Sequence, residues 1–86
     1  MVGPTETDVL AAIREVAATE LQIAREVLPS HELIGDLELD SIALVTMLAS
    51  IENRFRVILP PAESGTLRTV RDIVEQVVQC ARTERP

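Results

Sequence analysis

The sequence predicts an all-α fold, a small four-helix bundle with three long helices and one short third helix, in a single domain covering residues 1–86. Three observations predict it. The chain is 47% hydrophobic, yet Phe55 is its one aromatic residue and Trp and Tyr are absent; aliphatic burial of this kind suits packed helices, whereas sheets concentrate aromatic and β-branched residues. Apolar residues recur at helical spacing in three separate segments. Between those segments lie caps and breakers: Thr5, Pro29-Ser30, Pro60-Pro61, Gly65 and Thr69. A chain of 86 residues has a core just large enough to fold alone. With a single cysteine and no ligand cluster, that core has no staple.

The first helix is expected over 6–21. Thr5 or Thr7 can cap it, Glu6 and Asp8 favour its first turn, and Val9, Leu10, Ile13, Val16, Ala17 and Leu21 share a face. From Gln22 to Leu39 the pattern loosens into a long connection, and a loop of that length in so small a domain usually has a job. Val27, Leu33 and Leu37 are expected to pin it to the core. The second helix, 41–55, starts at Asp40 or Ser41 and carries Leu44, Leu48, Ile51 and Phe55 as its buried stripe. Pro60-Pro61 stops anything helical before it, and 61–64 forms the short third helix with Gly65 ending it. Thr69 caps the last helix, 70–81, with Asp72 completing a shortened capping box. Val70, Ile73, Val74, Val77, Val78 and Ala81 form its apolar stripe, and 82–86 is expected to fray.

Net charge is −6 and the pI is near 4.6. Nucleic-acid binding needs clustered cations and is not expected. All eight basic residues are Arg, for which there is no physical account. The N-terminus lacks a basic region followed by an apolar stretch, and no apolar run is long enough to span a bilayer. A cytoplasmic location is the expectation, with Cys80 a spectator thiol: a catalytic cysteine wants a cationic or His partner. His31, the sole histidine, lies between Ser30 and Glu32 and is expected to be solvated.

The run Asp36-Leu37-Glu38-Leu39-Asp40-Ser41-Ile42 holds most of the chemical signal. An acidic, leucine-punctuated loop leads into a serine at the opening of an amphipathic helix. A phosphate ester on that hydroxyl meets free backbone N–H groups and the positive end of the helix dipole. Locally, a serine after an aspartate at a helix start reads as a cap. The carboxylates of Asp36, Glu38 and Asp40, lacking a His partner or helical spacing, read as a solvated acidic loop and not a metal site.

The run Leu33-Ile34-Gly35-Asp36-Leu37-Glu38-Leu39-Asp40-Ser41-Ile42 resembles the phosphopantetheine attachment site of acyl carrier proteins. That family's signature is Asp-Ser-Leu or Asp-Ser-Ile at the start of the second helix, after an Asp-Leu pair. The likeness extends along nearly the whole chain: the long first loop, the Leu59-Pro60 step, the short third helix and the Thr69-Val70 start of the fourth. It implies a carrier that is not itself an enzyme. Ser41 is then esterified by 4′-phosphopantetheine from coenzyme A through a separate phosphopantetheinyl transferase, and the arm's thiol holds acyl groups as thioesters. The partners implied are that transferase, an acyltransferase or ligase, a ketosynthase and other biosynthetic enzymes. The resemblance gives Asp40 a part in orienting the transferase and its metal ion, and packs Ile42 against the partner or the base of the arm. Asp36, Val45, Thr46, Ala49, Glu52 and Ile58 complete the expected recognition surface.

The chain departs from that family's pattern in three places. Glu38 stands three before the serine, where Gly is frequent. Ala43, Thr46 and Asn53 replace acids common on the second helix, leaving Glu52, and Arg54 and Arg56 follow where acids are also frequent. Ile58 is apolar at a position often polar. Docking is therefore expected to be more apolar and less salt-sensitive than in primary fatty-acid synthesis, as in a dedicated type II carrier of a polyketide or mixed secondary-metabolite pathway. Three alternatives remain open: a peptidyl or aminoacyl carrier, an unmodified helical interaction module, and, last, a small helical enzyme, for which no nucleophile, base and oxyanion site assemble. A monomer is expected, since no heptad or second apolar face appears. The initial Met fits a free-standing protein; a domain of a larger multienzyme would read the same.

Overall fold

Three α-helices and one 3-10 turn make up the fold: α1 (Glu6–Thr19), α2 (Ser41–Phe55), the turn Ala62–Ser64, and α3 (Val70–Thr83). The computed structural model describes residues 3–83, with side chains through Ala81. The all-α bundle is as predicted, with a 3-10 turn in the place of the short third helix. That turn spans 62–64 rather than 61–64 because Pro61 is extended and serves as its N-cap. Gly65 ends it at φ 77°, a left-handed conformation that glycine adopts without a Cβ clash.

Thr5 opens α1 with a full capping box. Its hydroxyl accepts from the Asp8 N–H at 3.1 Å, and the Asp8 carboxylate accepts from the Thr5 N–H at 3.1 Å. Val9, Ala12, Ile13, Val16 and Ala17 form its buried face, and α1 packs on both α2 and α3. The helix ends at Thr19, two residues before the predicted boundary. Gln22 turns left-handed at φ 56°, so the Leu21 and Ile23 N–H groups reach back to the carbonyls of Val16 and Ala17 at 3.2 and 2.8 Å. Leu10 and Leu21 are only half-buried.

The long connection is tied down as expected: Val27, Leu33 and Leu37 are buried, and Leu39 joins them. Its backbone pairs with the start of α3. Glu32 and Thr69 form an antiparallel bridge, the Leu33 N–H donates to Arg68 O at 2.9 Å, and the Val70 N–H donates to His31 O at 3.0 Å. Arg14 Nε adds a bond to Val27 O at 2.9 Å. His31 is not a solvated bystander. It is half-buried, and its Nδ1 accepts from the Leu28 N–H at 3.0 Å, closing a turn in the loop.

Leu44, Met47, Leu48 and Ile51 are the buried residues of α2, while Phe55 is only half-buried. Met47, fully buried at 0% exposure, lies beside the predicted stripe and widens it. Arg56 stops the helix in a left-handed conformation at φ 56°. Thr69 and Asp72 cap α3 reciprocally, the Thr69 N–H donating to Asp72 Oδ2 and the Asp72 N–H to Thr69 Oγ1, both at 3.1 Å. The Arg68 N–H adds a third bond at 3.0 Å. This backbone donation from Arg68, more than the small opposing effect of burial, holds the Asp72 carboxyl below its usual 3.8. Val70, Ile73, Val74 and Val77 are buried, with Val78 and Ala81 at the margin. The helix runs two residues past the predicted 81; of the tail expected to fray, 84–86 lies outside the described residues. All buried side chains among the described residues are hydrophobic.

Candidate functional site

Ser41 is held in place from both sides. Upstream, the Glu32–Leu39 segment folds on itself: the Asp36 and Leu37 N–H groups both donate to Glu32 O at 3.0 Å, and the Leu39 N–H donates to Leu33 O at 3.1 Å. The Asp36 carboxylate accepts from the Glu32 N–H at 2.7 Å, and Arg25 donates to Asp36 O at 2.6 Å. Buried Leu37 and Leu39 anchor the loop, and Glu38 between them takes φ 58°. The position noted in the sequence as a departure from glycine is thus a left-handed one, where an ordinary side chain is strained.

Downstream, the helix cap settles which role Ser41 has in the fold. Asp40, extended at ψ −179°, is the N-cap, and its Oδ1 accepts from the Ala43 N–H at 2.7 Å. Ser41 is the first helical residue and is exposed. Its hydroxyl makes no hydrogen bond among the described residues, so the local reading of Ser41 as the cap does not hold. The N–H groups of Ser41 and Ile42 precede the first intrahelical bond, from the Leu44 N–H to Asp40 O, and are left pointing outward from the helix end. A free hydroxyl beside free N–H groups fits a phosphate ester in both geometry and charge.

Ser41 opens onto a shallow depression of about 230 Å³ between α2 and the 3-10 turn, lined by Ile34, Asp40, Leu44, Val45, Ala62 and Glu63. Its lining is mostly apolar and includes Asp40 and Glu63. Ile34, 65% exposed, and Glu63 were not singled out in the sequence. Glu63 lies 22 residues from Ser41, so no local pattern could have brought it there; Ile34 adjoins buried Leu33 and could have been read as its outward neighbour.

Of the other predicted site residues, Ile42 is 78%, Val45 55% and Ile58 79% exposed. Ala49 is exposed and Thr46 half-buried. Asp36 is exposed, but its carboxylate is engaged in the loop. Glu52 is half-buried, and its Oε2 accepts from the Leu59 N–H at 2.7 Å, turning it toward the segment that follows α2. Cys80 is half-buried, its thiol donating to Ile58 O at 3.6 Å. Among the described residues no three His, Cys, Asp or Glu side chains converge on a metal position, and no helix is long and apolar enough to cross a membrane.

Comparison with known proteins agrees with this geometry. Residues 11–77 match the family described as "Phosphopantetheine attachment site". The chain is 32% identical over 72 residues to an acyl carrier protein of Myxococcus xanthus, covering 83% of this chain and 91% of that one. It is 32% identical over 72 residues to an acyl carrier protein of Micrococcus luteus, covering 83% and 89%. It is also 28% identical over 74 residues to the meromycolate extension acyl carrier protein of Mycobacterium tuberculosis, covering 85% of this chain and 64% of that one. The chain therefore belongs to the acyl carrier protein family, whose members carry acyl groups on a covalently attached 4′-phosphopantetheine.

Proposed function

We propose that Ser41 is the attachment residue and that this chain is a non-catalytic carrier domain of a specialised, polyketide or fatty-acid-like pathway. The observation that carries the assignment is the division of labour at the start of α2. Asp40 satisfies the Ala43 N–H, which releases the Ser41 hydroxyl from any structural duty. Oγ would lose its proton and attack the pantetheine-side phosphorus of coenzyme A's diphosphate on a phosphopantetheinyl transferase; the P–O–P bond breaks and adenosine 3′,5′-bisphosphate leaves. The outer oxygen of Asp40 is left to orient that enzyme and its metal ion. When bound, the arm supplies a thiol whose thioesters keep the acyl carbonyl electrophilic and its α-protons acidic.

The protein's own contribution is tethering and presentation. A fixed attachment point raises the effective concentration of cargo at each partner enzyme. Anchoring by Leu37 and Leu39 on one side and Leu44 on the other, all buried, keeps Ser41 fixed relative to the fold. The partners are the transferase, an acyltransferase or ligase, a ketosynthase and other biosynthetic enzymes, met by a monomeric carrier in the cytoplasm. Incubation with coenzyme A and a broad-specificity transferase tests the assignment, with Ser41→Ala alongside. Covalent gain on the parent and none on the variant supports it; equal gain on both, or none on a folded parent, overturns it. Loading by an amino-acid-activating adenylation enzyme would favour a peptidyl carrier instead.

A further inference from the structure

The connection between α1 and α2 has two limbs, joined at the turn that His31 closes. The first leaves α1 at Gln22, left-handed at φ 56°, and is pinned by buried Val27. The second, 32–40, leads into Ser41 and holds Glu38 at φ 58°. An ordinary side chain is strained at that φ, so the limb keeps its shape only while its surroundings hold it. Buried Leu37 and Leu39 hold it from within. From outside, the exposed Arg25 reaches across, and its guanidinium donates to Asp36 O at 2.6 Å. Among the described residues this is the one hydrogen bond between 22–27 and 34–40. The Asp36 N–H and carboxylate are already used on Glu32, at 3.0 and 2.7 Å. Arg25 takes the one polar group of Asp36 that the segment itself leaves open.

We infer that Arg25 is a positioning residue for the modification of Ser41: its bond to the Asp36 carbonyl holds the approach to α2 in the conformation that presents Asp40 and Ser41. The inference rests on Ser41 being the attachment residue. Between Asp36 and Asp40 lie only two buried leucines and the left-handed Glu38, a path with little slack. Release of the Asp36 carbonyl lets Glu38 relax toward ordinary dihedrals. A change of φ there moves Asp40, whose carboxylate caps α2 beside Ser41. Ser41 Oγ is then less well aligned for attack on phosphorus, and misalignment of a reacting atom slows the transfer itself. Arg25 acts through the loop and leaves the surface of α2 as it is, so the effect falls on kcat and not on KM.

The test compares the intact parent with Arg25→Ala and Arg25→Lys. Amide hydrogen exchange is read on the free proteins. The kcat and KM for the carrier are read with a transferase that modifies the parent, at saturating coenzyme A. Arg25→Ala is expected to speed exchange at Leu37 and Leu39 by about threefold or more, with the buried α3 amides of Ile73 and Val77 unchanged. It is expected to lower kcat by about threefold to tenfold, with KM within about twofold of the parent. Arg25→Lys keeps a charged donor and should stay within about twofold of the parent in kcat and in exchange. Unchanged exchange at Leu37 and Leu39, an unchanged kcat, or an Arg25→Lys variant as impaired as Arg25→Ala would each overturn the inference. Equal acceleration at Ile73 and Val77 would also overturn it, because Arg25 would then stabilise the fold as a whole. So would a loss that falls on KM and vanishes at about 500 mM NaCl, the mark of a direct ionic contact with the transferase. If no transferase modifies the parent, the carrier assignment itself fails; equal modification of parent and Arg25→Ala sinks this inference alone.

Discussion

Glu52→Ala should destabilise the fold although the side chain lies at the margin of a surface helix. Its Oε2 is the acceptor for the Leu59 N–H at 2.7 Å. Leu59 and nearby Val57 are each only 5% exposed, so the freed N–H cannot move far toward water. Hydrogen bonds to charged groups contribute about 1.5–3 kcal/mol. Because Glu52 is itself half-buried, water can replace part of the lost acceptor, and the lower end, about 1.5 kcal/mol, is the appropriate figure. In a domain of this size that corresponds to a fall in Tm of about 6–12 °C. Glu52→Gln keeps an acceptor but loses the charge assistance and should cost roughly half as much. Absence of Trp and Tyr makes far-UV circular dichroism the suitable probe, in thermal and urea unfolding. Glu52→Ala within about 0.3 kcal/mol of the parent would refute the reasoning, and the segment after α2 would then have to be held by Val57 and Leu59 burial alone.

Other expectations follow from the same geometry. Glu38→Gly removes a side chain from φ 58° and should stabilise the protein by about 0.5 kcal/mol, the left-handed strain outweighing the entropy of glycine, whereas Glu38→Val should destabilise it in urea titrations. Asp72 has a folded-state pKa below its unfolded value near 3.8, so its carboxylate stabilises the fold above that value, and this contribution disappears as pH falls through the folded-state pKa. Asp72→Asn should therefore lower stability at neutral pH in urea unfolding and flatten the acid limb of the stability–pH curve. Met47→Ala, at a fully buried position, should cost about 2–5 kcal/mol, measured by the same unfolding curves. Asp40→Ala should cost about 1 kcal/mol through the lost cap, while Ser41→Ala stays within about 0.5 kcal/mol of the parent.

Local signals in the sequence were sufficient for the caps of α1 and α3 and for the short turn. Thr5 with Asp8 and Thr69 with Asp72 are capping pairs three residues apart, and both form. Pro61 and Gly65 bracket the short turn because one fixes φ and the other tolerates a positive one. What could not be read depends on residues distant in sequence. The Glu32–Thr69 bridge joins two loops, and the Val70 N–H donates to His31 O beside it. Glu52 reads as a surface acid until the backbone after α2 returns to meet it. Met47 was missed for a different reason: a helix packed on two neighbours buries more than a narrow stripe. At the site, Ser41 was legible by resemblance, but its release from capping was not, since Asp40 and Ser41 are both good caps and only backbone geometry chooses between them. Glu63 reaches the depression through the path of the chain beyond Pro61, for which no local pattern exists.

The most direct test of the central claim is intact mass after treatment with coenzyme A and a phosphopantetheinyl transferase, on the parent and on Ser41→Ala, with thermal unfolding of both. The account predicts a gain of one phosphopantetheine on the parent, none on the variant, and Tm values that agree, because Asp40 and not Ser41 caps α2. A parent that stays unmodified while folded, or a variant that gains the same mass, would contradict it.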